Sequence, residues 1–126
     1  MGLVVALPPG SDASQPWEKV RELQWIGTPS GCPFRILGQE LFQREGSAPR
    51  RRFEVEIERT IVEMVAAGLG AGLVREDTAR WAVESGKCAV WEGRPVQTSL
   101  ALVWPREMTD DPAVRALRRI VDEVWS

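Results

Sequence analysis

Two short stretches of the chain hold side chains whose types and spacing could do chemistry. Residues 28–33, Thr28-Pro29-Ser30-Gly31-Cys32-Pro33, form a turn that runs into a helical pattern. Such a turn offers free backbone N–H groups at a helix start, here flanked by two hydroxyls, and that arrangement suits an anion. Arg59-Thr60 stands where an alternating strand pattern gives way to a second helical one. Thr28 and Ser30 therefore precede one helix, and Arg59 and Thr60 the next. If the strands leading into these helices are parallel neighbours, both helix N-termini open on one sheet edge. Hydroxyls, N–H groups and a guanidinium then converge there. Taken singly, each of these residues is more often a simple cap or a surface group; together they make a candidate ligand site.

Other candidates fit structural roles better. Gly68-Leu69-Gly70-Ala71-Gly72 follows a helix and opens a strand, the reverse of a dinucleotide fingerprint. Glu54, Glu56 and Glu58 alternate with Phe53, Val55 and Ile57, which reads as the solvated face of a strand near an edge, not as a catalytic carboxylate pair. Residues 47–52, with Arg50, Arg51 and Arg52, read as a solvated polar connection, since no aromatic interleaves the arginines as in a nucleic-acid groove. The chain has no histidine, which removes the usual general base and every Ser-His or Cys-His dyad. Its two cysteines, Cys32 and Cys88, are too far apart for a zinc site or a disulfide framework. Neither a metal, a cofactor nor a catalytic residue is expected. A net charge of −2 gives no overall nucleic-acid footprint.

Residues 53–74, FEVEIERTIVEMVAAGLGAGLV, organise the rest. They read as a strand over 53–58, a helix ended by Gly68, a tight turn through Gly70 and Gly72, and a strand at 73–74. A strand–helix–strand unit implies parallel strands with the helix on one face of the sheet. Before it come an apolar strand at 3–7, stopped by Pro8-Pro9-Gly10, a short helix opened by Pro16, a strand at 24–27, and a helix from the 28–33 turn to about residue 45. Phe34, Leu37 and Leu41 are that helix's apolar stripe. After the central unit come a helix at 75–85, a strand at 88–91, a turn at 92–95 and a strand at 98–104. The last helix, capped by Asp111 with Pro112 at its first position, runs to about residue 125. At 126 residues, 44% hydrophobic and 27% charged, this is a single soluble α/β domain with an open, mainly parallel sheet and helices on its faces.

A Thr a few residues before VAAGLGAGL, with WIGTP at 25–29 and VREDTA at 74–79, resembles the effector-binding domain of LysR-type transcriptional regulators. The resemblance runs from about Leu3 to Trp125. It implies one lobe of a type 2 periplasmic-binding-protein-like domain: the second lobe at about 8–100, a connecting strand at 3–7, and a returning strand and C-terminal helix at 98–125. It implies that a small anionic effector sits in a cleft between lobes, with Ser30, Gly31, Cys32, Arg59 and Thr60 lining the second lobe's side. Some members sense peroxide through paired cysteines, but Cys88 lies far from Cys32, so pocket lining or packing is the reading for Cys32. The implied function is effector sensing for a longer transcriptional regulator, with DNA contacted only through a helix-turn-helix that this chain lacks. The start MGLVVALPPG has no basic n-region and too short an apolar run for a signal peptide, so a cytoplasmic location is expected. The last helix packs on the first lobe in this family; with most of that lobe missing, its apolar stripe lacks a partner, and a homodimer is expected. The competing classes are a stand-alone protein-interaction module, a remnant of a solute-binding protein, and last a small enzyme.

Overall fold

Residues 2–7, GLVVAL, carry no charge and form β1 (Gly2–Leu7), the axis of the sheet. α1 (Trp17–Val20) follows, with Pro16 at its N-cap and not inside it, and then β2 (Gln24–Gly27) and α2 (Pro33–Arg44). β3 (Arg50–Glu54), α3 (Glu58–Ala66) and β4 (Ala71–Arg75) form the central unit, and α4 (Glu76–Glu84) starts directly from β4. The short strands β5 (Ala89–Val90) and β6 (Val96–Gln97) precede a 3-10 turn at Arg106–Met108 and the last helix, α5 (Pro112–Trp125). The computed structural model describes residues 1–44, 46–93 and 95–125, with the backbone alone at 51 and 52; residue 45 at the expected end of α2, residue 94 in the expected 92–95 turn and residue 126 lie outside it.

Among the described residues the strands form one open six-stranded sheet in the order β3-β2-β4-β1-β5, with β6 also on β1. Parallel pairing is confined to β3-β2 and β2-β4; β1 runs antiparallel to β4, β5 and β6. The two strands of the central unit are parallel, as their helical crossover requires, with β2 inserted between them. Both faces are covered. Leu3, Val5, Leu7, Trp25 and Leu73 pack with Trp17, Val20, Leu41 and Phe42 of α1 and α2 on one face. Ala6, Ile26 and Val74 pack with Ile61, Val62 and Val65 of α3 and Ala79 and Ala82 of α4 on the other. Strands buried on both sides read as continuous apolar runs, which β1, β2 and β4 are. Only the start of the alternation at 53–58 lies on the edge strand β3; the rest falls beyond it.

Several expected boundaries move. The strand assigned to 53–58 is β3 at 50–54, so the arginines assigned to a loop at 47–52 are largely strand. Its ladder with β2 pairs Gln24 with Arg50 and Trp25 with Arg51, and an edge strand gains these backbone bonds whatever its side chains are. Glu54, Glu56 and Glu58 consequently share no strand face: Glu54 ends β3, Glu56 lies in a bend, and Glu58 opens α3. Gly68, at φ +79° beyond the C-cap Ala67, ends α3 as expected. Gly72 lies inside β4 instead of the turn; a Cβ there would stand 2.7 Å from Ile61 Cγ2, so glycine lets α3 approach the sheet.

The largest departure is at 98–104, which is not a strand. Met1 and Thr98 exchange two bonds, the Met1 amino group donating to the Thr98 carbonyl at 2.8 Å and the Thr98 N–H to the Met1 carbonyl at 3.0 Å. Beyond them the chain leaves the sheet: Leu100 is 75% and Val103 82% exposed. A β-propensive composition reports a side-chain fit to a sheet and not a pairing, and among the described residues 99–104 pair with no strand.

Candidate functional site

The site forms where β2 and β3 end. The two strands are parallel neighbours, with Gly27 beside Glu54, so the turn 28–32 and the connection 55–57 leave the same edge of the sheet. β4, parallel to β2 on its other side, brings Arg75 to that edge as well. In open α/β sheets the crevice beyond the carboxyl ends of the strands is where ligands bind.

Thr28, first residue past β2, is 6% exposed, and its hydroxyl oxygen has no hydrogen-bond partner among the described residues. It lines a cavity of about 10 Å³ together with Gly27, Phe34, Arg35 and Gln39, room for one water-sized group. Ser30 and Gly31 are exposed, Gly31 at φ +92°, and Cys32 is half-buried. The Cys32 N–H donates to the Pro29 carbonyl at 3.2 Å, closing the turn before α2. Arg59 and Thr60 lie within the first turn of α3, one step later than the expected strand end. Thr60 is exposed, and its N–H donates to the Ile57 carbonyl at 3.0 Å. Ile57 occupies the N-cap of α3 and supplies no side-chain bond, so no side chain caps this helix. The guanidinium of Arg59 lies 4.6 Å over the Trp81 ring of α4, which draws it toward α4. Thus the structure brings the 28–32 turn and the start of α3 to one edge and stacks the Arg59 head on the neighbouring helix.

Four residues outside the expected set tie this edge together. Arg35 Nη1 donates to the Thr28 carbonyl at 3.3 Å and to Glu54 Oε1 at 2.9 Å, joining the ends of β2 and β3. The Glu54 end of the pair is exposed to solvent, which screens it, so it fixes geometry more than it stabilises. Glu58 accepts the Arg75 backbone N–H at 2.6 Å and its Nε at 3.1 Å, joining the start of α3 to the end of β4. A signal for Arg35 existed in the sequence: a cation in the first turn of a helix opposes the macrodipole, so its presence there points to a specific partner. Glu58 carried no such signal, because its strand-like spacing from Glu54 and Glu56 concealed its place at a helix start.

The remaining chemistry is sparse. Both cysteines are free; Cys32 is half-buried, and burial pushes the Cys88 thiol up from its ordinary pKa. Among the described residues no group of acidic or thiol side chains is placed to hold a metal ion. None of the described helices is long and apolar enough to cross a membrane.

The fold is an open α/β sheet of the kind in which ligands meet the carboxyl ends of parallel strands. The LysR substrate binding domain family matches residues 2–126, and the chain belongs to that family. Its fold is the type 2 periplasmic-binding-protein-like fold of LysR regulatory domains. It is similar to the regulatory domain of MexT, a transcriptional activator in Pseudomonas aeruginosa, at 14% identity and a TM-score of 0.73 over 96% of this chain and 62% of that one. The Synechocystis PCC6803 CcmR regulatory domain in complex with 2-PG aligns at 20% identity and 0.64 over 72% and 46%. The effector binding domain of QuiR in complex with shikimate aligns at 16% identity and 0.61 over 93% and 61%. The chain thus spans 46–62% of the length of these relatives. No curated protein matches its sequence.

Proposed function

We propose that this domain senses a small, anionic effector at the edge formed by Ser30, Gly31, Cys32 and the first turn of α3, with Arg59 and Thr60, for a longer LysR-type transcriptional regulator. The observation that carries the reading is the parallel pairing of β2 and β3, which delivers two helix starts to one edge while Ile57 leaves the α3 N-terminus without a side-chain cap. Backbone N–H groups at such a terminus are ready partners for negative charge. The buried, unpartnered hydroxyl of Thr28 forms the floor of the site and serves a group that enters its small cavity. That CcmR was captured with 2-PG and QuiR with shikimate supports a small-molecule ligand.

In this reading residues 8–100 are the second lobe, 3–7 a connecting strand and 98–125 a return toward the first lobe. Effector binding shifts the population between two arrangements of the lobes, and DNA is contacted by a helix-turn-helix elsewhere in the regulator. The role is sensing and not catalysis, for the sequence lacks a histidine to act as general base. The regulator acts in the cytoplasm as a homodimer.

The test is an amide chemical-shift titration of the chain with shikimate, 2-PG and inorganic phosphate at millimolar concentration. Shifts at Ser30, Gly31, Cys32, Arg59 and Thr60 with at least one anion are expected. Shifts confined to other surfaces would remove the site from this edge. With a probe that binds, Thr60→Val is expected to weaken affinity by about 1.5–3 kcal/mol, the worth of a hydrogen bond to a charged group. Unchanged affinity would take Thr60 out of the site.

A further inference from the structure

We propose that the small cavity beside Thr28 is a built site for one bound water molecule, which joins the end of β2 to the first two turns of α2. Among the described residues the Thr28 hydroxyl is the one buried side-chain polar atom without a hydrogen-bond partner in the protein. Thr28 is 6% exposed, so bulk solvent does not satisfy that oxygen. Buried polar atoms as a rule are hydrogen-bonded, to protein or to an ordered water.

The cavity's size selects the guest. About 10 Å³ is close to the least space that holds one water. A carboxylate or a phosphate, with several heavy atoms, does not fit. The lining narrows the choice further. Ile26, Phe34, Ile61 and Leu73 give it apolar walls, which disfavour a bare ion. Its one charged side chain, Arg35, is already answered: Nη1 donates to Glu54 Oε1 at 2.9 Å and to the Thr28 carbonyl at 3.3 Å. A neutral, water-sized guest remains.

The polar ends that would hold it are in place. Arg35 and Gln39 line the cavity with Thr28, and they stand four residues apart on one face of α2. A guanidinium has five N–H donors, an amide offers a donor and an acceptor, and a hydroxyl does both. A buried water makes about three hydrogen bonds, and these side chains can supply them. The water thus ties Thr28 to α2 a second time, beside the direct bond from Arg35 to its carbonyl. It anchors the entry to the 28–32 turn through protein contacts alone, so the inference does not depend on the effector reading.

A high-resolution crystal structure of the unaltered chain and one variant test it. A single water peak is expected within hydrogen-bond reach of Thr28 Oγ1 and of Arg35 or Gln39. Thr28→Val keeps the side chain's shape and removes the hydroxyl. If the hydroxyl holds a water, its loss is expected to raise the unfolding equilibrium constant about five- to tenfold in a denaturant titration. A hydroxyl with no guest behaves oppositely, for replacing an unpartnered buried group by a methyl is neutral or stabilising. Should the valine variant fail to fold, the density in the unaltered chain decides alone. A dry cavity in a crystal that shows ordered waters elsewhere would overturn the proposal. So would a valine variant as stable as the unaltered chain, or an anomalous peak in the cavity after bromide soaking, which would make the guest an ion.

Discussion

Val65 and Val124 are valines on the apolar faces of two amphipathic helices, α3 and α5, yet Val65 is fully buried and Val124 is 63% exposed. The helices differ in what delivers them. α3 is the crossover between two strands that run parallel in one sheet, and such a connection is held against the sheet face at both ends. α5 follows a segment that has left the sheet after β6. An apolar face states that a helix has surface to bury; connectivity decides whether the same chain supplies the surface to bury it on.

The largest expected effect lies on the α3 side. Ile61 is 1% exposed, packs between α3 and the sheet, and meets Gly72 so closely that a Cβ there would stand 2.7 Å from its Cγ2. Ile61→Ala removes buried methyl groups from a site where the sheet backbone cannot collapse, and should cost about 2–5 kcal/mol of unfolding free energy in a denaturant titration. A loss under about 1 kcal/mol would mean that α3 is no better seated than α5 and would break the comparison.

The same contrast governs what the sequence made legible. β1, β2 and α2 announced themselves through apolar runs and punctuation: Pro8-Pro9-Gly10 after β1, the 28–33 turn after β2. The ends of α3 and α4 followed from Gly68 and Gly86, at φ +79° and +70°. β3 was displaced because its first residues are arginines: backbone pairing with β2 makes them strand, and no side-chain pattern reports that ladder. Residues 98–104 misled in the opposite sense, being strand-like in composition yet, among the described residues, joined to no strand. The site divides likewise. Ser30, Gly31, Cys32 and Thr60 were legible as residues preceding or opening helices. The joints at Arg35–Glu54 and Glu58–Arg75 depend on strand order, and strand order lies outside local sequence.

A smaller effect sharpens the comparison at the start of α5. Asp111 Oδ1 accepts the N–H of Ala113 at 2.8 Å and of Val114 at 3.4 Å, satisfying two donors that the helix itself cannot. With so few contacts to the body, α5 depends on local terms, and a helix of 14 residues is marginal alone in water. Asp111→Ala should cost about 1 kcal/mol, read as faster hydrogen exchange at Ala113 and Val114 while the amides of α3 keep their protection. Exchange that quickens in step across both helices would show that α5 and the sheet unfold as one unit.

The smallest expected effect is the direct counterpart of the first. Leu117 is an apolar residue at the middle of a helical stripe, as Ile61 is, and is 47% exposed where Ile61 is 1%. Truncation removes little area from contact within the chain and opens no cavity, so neither the transfer nor the cavity contribution that makes Ile61→Ala costly applies. Alanine also has the higher helix propensity of the two residues, by a few tenths of a kcal/mol. At dilutions where the chain is monomeric, Leu117→Ala should therefore change unfolding free energy by no more than about 0.5 kcal/mol. A cost of about 2 kcal/mol or more at every concentration would place Leu117 in a core of its own chain, and the contrast between α3 and α5 would fail.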